Sequence, residues 1–178
     1  VVPYSCAAWI ASIQRGVDVA RAMGLAHVVG STGDASEKAA MARLGLPIEA
    51  YLDMGDFVGG LLKYLRVHPV ERVTIAGGFA KLVKLAQGAM DLHSARSTVD
   101  LETLAGLLAG AGGDAALVEQ ARRANTANEV LGLALAAGLP LADVVAQAAR
   151  QSARDMLRGT MRVSALVVDR GGQIVGEA

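Results

Sequence analysis

From Trp9 onward, apolar residues return at Ile13, Val17 and Ala20 while Gln14, Arg15, Asp18 and Arg21 fall on the other side. That is the spacing of a helix with one buried face. Pro3 and Tyr4 lead to Ser5, which can cap such a helix, and Gly24 can stop it. The pattern predicts a helix from about Cys6 to Met23. Three units then follow, each an apolar run, a glycine and a helical pattern: "AHVVGSTGDASEKAAMARLG", "EAYLDMGDFVGGLLKYLRVHP" and "ERVTIAGGFAKLVKLAQG". The glycines closing the runs, Gly30, Gly55 and Gly77, recur at a little over twenty residues. A strand, a turn, a short helix and a return loop fill that length.

Three βα units imply a parallel sheet with right-handed crossovers. Their glycine turns would then share one edge, beyond the carboxyl ends of the strands, where open α/β sheets bind ligands. After Asp91 the pattern changes to Ala- and Leu-rich helices, opened by Ser97 or Asp100 and continuing over 114–124, 128–139 and 142–157. "MRVSALVVDRGGQIVGEA" closes the chain as an apolar run, a turn at 169–172 and a second run, a hairpin or two neighbouring strands. The expectation is one α/β domain: a parallel or mixed sheet from three βα units plus a C-terminal hairpin, covered by helices.

Composition narrows the picture modestly. At 178 residues and 53% apolar the chain can bury one sizeable core, and no run reaches the roughly 20 apolar residues of a membrane span. Lys plus Arg and Asp plus Glu balance at 17 each, giving no whole-chain charge that favours nucleic acid or an anionic membrane. Any cationic site must be local. A single cysteine, Cys6, excludes an internal disulfide framework and fits a reducing, cytoplasmic setting. With no His partner nearby in sequence, Cys6 is expected to pack as a small apolar residue. Because the chain begins with Val1, a processed or truncated chain is expected.

Candidate chemistry lies in the glycine turns. Gly30, Ser31, Thr32 and Gly33 offer close backbone approach, free N–H groups and hydroxyls, which suit a carboxylate or phosphate. Gly33 with Asp34 and Ser36 also reads as an ordinary turn and cap. Asp53 and Asp56, around Gly55, can accept from ribose hydroxyls or an amino group, although G-x-G-x-x-G is absent and Asp56 reads equally as an N-cap. Gly59 and Gly60 in the next helix are explained by close packing or an approaching ligand.

The third turn puts Gly77 and Gly78 before Lys81 and Lys84, two cations near the helix end that already carries positive partial charge. With Arg96 they can hold several carboxylates, or both lysines can simply point into water. No Walker A loop is present. His93 beside Asp91 encodes neither a serine-hydrolase triad nor a metal site, and His27 and His68 are assigned structural roles. Asn125, Thr126 and Asn128 suit a helix cap.

The blocks "PYSCAAWIASI", "STGDASE", "MGDFVGGLLKYL", "TIAGGFAKLVKLAQGAMDLHS" and "STVDL", in this order and spacing, resemble the cobalt-precorrin-5B C(1)-methyltransferase family, also called CbiD. The resemblance implies methyl transfer from S-adenosylmethionine to carbon 1 of a cobalt-corrinoid tetrapyrrole in anaerobic cobalamin biosynthesis. The likeness does not itself divide the turns between the two ligands; the first two (Gly30, Ser31, Thr32, Gly33, Asp53, Gly55, Asp56) are assigned here to the cofactor. The third (Gly77, Gly78, Lys81, Lys84), with Ser94 and Arg96, goes to the substrate. His93 or Asp91 would accept any departing proton. Members of the family are about twice as long, so an absent N-terminal domain is an expected partner, and this half could serve as a binding module. A third reading makes the helical second half a homo-oligomer interface.

Overall fold

The computed structural model describes residues 5–159 and 161–178. Pro3 and Tyr4 of the leading block lie outside the described residues. Helix α1 (Cys6–Ala22) is capped by Ser5, whose side chain accepts the Ala8 N–H, and it buries Ile13, Val17 and Ala20 as the pattern requires. The βα units follow in order: β1 (His27–Ser31) with α2 (Asp34–Leu44), β2 (Tyr51–Asp53) with α3 (Val58–Val67), and β3 (Arg72–Gly78) with α4 (Phe79–Ala86). Helices α5 (Leu101–Gly110), α6 (Ala115–Arg122), α7 (Ala127–Ala136) and α8 (Leu141–Leu157) precede β4 (Arg162–Val168) and β5 (Ile174–Glu177). Asp100, Asp114 and Thr126 cap the first three of these four helices with their side chains.

The strands form one sheet in the order β2-β1-β3-β4-β5. Its first four strands are parallel, and β5 returns antiparallel to β4 as the C-terminal hairpin. This is the expected α/β architecture in its mixed form. Among the described residues, no helix is long and apolar enough to cross a membrane.

The strand order creates a crevice. The chain moves outward from β1 to β2 through α2, then reverses past β1 to β3 through α3. Right-handed crossovers therefore put α2 and α3 on opposite faces. The packing agrees: α2 covers a small cluster of Val29, Ala40, Ala76 and Leu166, whereas α1, α3, α4 and α8 close the main core over Val28, Val73, Ile75 and Val163. Between β1 and β3 the connections leave in opposite directions. Such a switch point opens a ligand crevice at the carboxyl edge.

Two glycines let this edge close tightly. A Cβ on Gly30 would lie 2.4 Å from Leu61 Cδ2, and one on Gly77 would lie 2.2 Å from Leu82 Cδ2. Both positions are filled by side chains of α3 and α4, so these two glycines admit packing rather than face open space. Gly59 does the same for backbone: it donates its N–H to the Met90 carbonyl at 2.8 Å, binding the start of α3 to the loop after α4.

Candidate functional site

The three turns meet at the switch point. Thr32 continues the β1–β3 pairing by donating its N–H to the Ala76 carbonyl, and Met54 donates to the Ser31 carbonyl, so the first turn is held from both sides. Helix α2 begins after Gly33 without a side-chain cap. The expectation that Asp34 or Ser36 caps it is corrected: Asp34 pairs with Lys38 at 2.9 Å, and Ser36 Oγ donates to the Gly33 carbonyl at 2.8 Å. Helix α4 likewise starts after Gly78 with no side-chain cap, and a Cβ at Gly78 would meet open space. Two helix N-termini with uncapped N–H groups thus border one cleft of about 350 Å³, which Asn128, Asp169 and Arg170 also line. Ser31 Oγ is buried beneath this rim with no hydrogen-bond partner among the described residues.

The second turn is built around Asp53. Its carbonyl accepts the Trp9 indole N–H at 3.0 Å, and its Oδ1 accepts the Gly55 N–H at 3.2 Å. Gly55 sits at φ 53, where a side chain is disfavoured, and a Cβ there would come within 3.3 Å of the Trp9 ring. Asp56 is not the N-cap of α3, a position taken by Phe57. Its carboxylate instead meets Lys81 Nζ at 3.1 Å, while Lys81 also donates to the Thr32 carbonyl at 2.9 Å. One ammonium therefore ties all three turns together.

Lys84, three residues on, has a different fate. It is buried and donates to the Leu92 carbonyl at 2.9 Å, so the two lysines do not present a joint cationic face. The carbonyl it satisfies belongs to the loop carrying His93. Asp91 accepts the His93 N–H through one carboxylate oxygen and pairs with Arg96 at 2.8 Å through the other. His93 Nδ1 accepts the Ala95 N–H at 3.2 Å, which leaves the neutral ring's proton on Nε2. His93 is exposed, and it lines a second cavity of about 390 Å³ with Trp9, Asp53, Gly55, Asp56 and Lys81. The two cavities share Thr32, Gly33 and Lys81. Asp91 and Arg96 instead border the neighbouring groove between α1 and α3, and Ser94 is exposed on the same loop.

Cys6 is exposed at the mouth of the second cavity, which corrects the expectation that it packs inside. It belongs to the first turn of α1, above the buried turns of that helix. Three contributors escape sequence reasoning. Trp9 reads as a core position by its spacing. Arg170 reads as part of a hairpin turn. Glu37, in the first turn of α2, has its carboxyl pushed up by burial and then by the nearby Asp53 and Asp34 carboxylates. For Glu37 the "STGDASE" block carries a signal, an acid one helical turn after the glycine. His27 bonds Thr74 and His68 stacks on Tyr64, as structural histidines do.

The site combines uncapped amides, one held ammonium, several carboxylates and an indole around two joined cavities. Such a set can bind a zwitterionic ligand with hydroxyls and an aromatic part. Among the described residues, no three His, Cys, Asp or Glu side chains form a metal-holding group.

Comparison with known proteins narrows the family. Residues 91–178 match the family model described as CbiD, C-terminal domain. The chain is 65% identical over 178 residues to the cobalt-precorrin-5B C(1)-methyltransferase of Rhodospirillum rubrum, covering 99% of this chain and 50% of that protein. Proteins of the same name from Paramagnetospirillum magneticum and a Bradyrhizobium species are 58% and 56% identical. They cover 100% and 99% of this chain, and 50% and 47% of their own lengths are matched. No solved structure matches. The chain spans about half the length of the curated relatives it matches. By these likenesses residues 91–178 carry the C-terminal domain of the CbiD family, and the chain as a whole is similar to about half the length of proteins named cobalt-precorrin-5B C(1)-methyltransferase.

Proposed function

We propose that the chain takes part in S-adenosylmethionine-dependent methyl transfer to carbon 1 of cobalt-precorrin-5B, giving cobalt-precorrin-6A in anaerobic cobalamin biosynthesis. Its switch-point cleft is the ligand site in this reading, and the setting is cytoplasmic. The observation that carries the proposal is the meeting of three glycine turns on Lys81, which reaches Asp56 and the Thr32 carbonyl from α4. The relatives' shared name supplies the reaction.

The donor set fits the cofactor. A methionine carboxylate suits the uncapped N–H groups of α2 after Gly30, Ser31, Thr32 and Gly33. Asp53 and Asp56, around Gly55, suit an ammonium and ribose hydroxyls, and Trp9 offers an apolar wall. A sulfonium methyl is already electrophilic, so the cofactor supplies the activated carbon. What remains for the chain is to align the reactants and exclude water. Gly78 and Lys81, with Ser94 and Arg96 along the loop, face a substrate fringed with carboxylates. Gly77 and Lys84 serve that side indirectly, by packing and by fixing the loop. His93 takes up a departing proton at Nδ1 by giving up the Ala95 contact, and Asp91 holds its backbone in place.

A second reading is favoured by the chain's length against its relatives: a ligand-binding half that requires the rest of the relatives' length for catalysis. Both readings place the cofactor here. Calorimetry with S-adenosylhomocysteine is expected to give one saturable site per chain. Asp53→Asn should weaken it at least tenfold, since a charge-assisted hydrogen bond contributes about 1.5–3 kcal/mol. Equal affinity in the variant, or no binding to the wild-type chain, would remove the cofactor from this cleft.

A further inference from the structure

A larger cleft, about 720 Å³, lies at the other end of the strands. Arg72 and Arg162 are the first residues of β3 and β4, and Arg150 and Arg154 lie one turn apart on α8; all four line it. The seven residues of β3 separate this edge from the switch point by about 20 Å.

Among the described residues Glu71 is the one carboxylate that lines the cleft, and it pairs with Arg162 at 3.3 Å. Among the described residues Arg72, Arg150 and Arg154 form no ion pair. This local excess of three positive charges sits in a chain of zero formal net charge. The negative end of α8 accounts for Arg154, which stands in its last turn. It does not account for Arg72 and Arg162, which come from the sheet, or for Arg150, a turn further back. The charge of the sheet pair is felt nearby: burial and then Arg72 and Arg162 hold the His27 imidazole below its ordinary range. Guanidinium groups are planar forks that pair two-to-two with phosphate or carboxylate oxygens.

We propose that this cleft is a second ligand site, independent of the switch point, for a multiply charged oxyanion carrying phosphate or clustered carboxylate groups. Arg72, Arg150, Arg154 and Arg162 bind it. Calorimetry at low ionic strength with pyrophosphate and, separately, citrate tests this. At least one is expected to bind once per chain. Tighter pyrophosphate binding assigns a phosphate ligand, and tighter citrate binding assigns a polycarboxylate. The double variant R150Q/R154Q should lose at least tenfold in affinity, while R123Q, which removes one exposed charge at the end of α6, away from the cleft, should lose less than twofold. R72Q carries the same expectation as the double variant and keeps the test open if α8 tolerates its changes poorly. Absence of saturable binding to either anion, or equal loss in R123Q, would overturn the proposal.

Discussion

An ammonium in the first turn of a helix faces the positive end of the helix dipole, an opposition of about 0.3–1 kcal/mol. Lys81 meets it with an ion pair to the Asp56 carboxylate and a charge-assisted hydrogen bond to the Thr32 carbonyl, the latter about 1.5–3 kcal/mol before solvent screening is discounted. The bonds win, and the lysine becomes the knot of the site. Lys84 shows the opposite solution, burial with a single carbonyl. Lys84→Met keeps the length and apolar stem but strands the Leu92 carbonyl, so unfolding in urea should show a loss of about 1–3 kcal/mol. An unchanged midpoint would mean that Lys84 does not secure the loop. Ser5, Gly24 and Thr126 were legible in the sequence because a cap is decided within four residues. The partners of Lys81 and Lys84 were not, because they come from turns and loops that only folding brings near. The same holds for Trp9, whose helical spacing announces a core residue and not a donor to Asp53.

At the scale of elements, the periodic runs disclose three βα units and a hairpin, since each period is local. Strand order depends on β4 finding β3 across five intervening helices, and no periodicity encodes that pairing. The same long-range closure puts Gly176 of β5 against α8. A Cβ there would lie 2.4 Å from the Ala142 carbonyl carbon and 2.7 Å from the Asp143 nitrogen, backbone atoms that cannot turn aside. Gly176→Ala should therefore cost about 3 kcal/mol or more and loosen β5. At Gly30 the obstacles are the ends of the Leu61 and Met54 side chains, which can rotate, so Gly30→Ala should cost less. Thermal unfolding of the two variants side by side checks the order; the reverse order would contradict the packing of β5 on α8.

For the whole molecule, parallel strands give the sheet two unlike edges. The carboxyl edge gathers the glycine turns, Lys81 and His93, and the opposite edge gathers arginines. That the three turns share an edge was legible from the βα pattern. The crevice between β1 and β3 was not, because it arises from the reversal of direction after β2. The most direct test of that crevice is residue-by-residue amide NMR of the isotope-labelled chain titrated with S-adenosylhomocysteine. Shifts should concentrate at Thr32, Gly33, Gly55 and Asp56, with the amides of Arg72 and Arg162 unmoved. Shifts confined to the arginine edge, or none at saturating ligand, would contradict a cofactor site at the switch point.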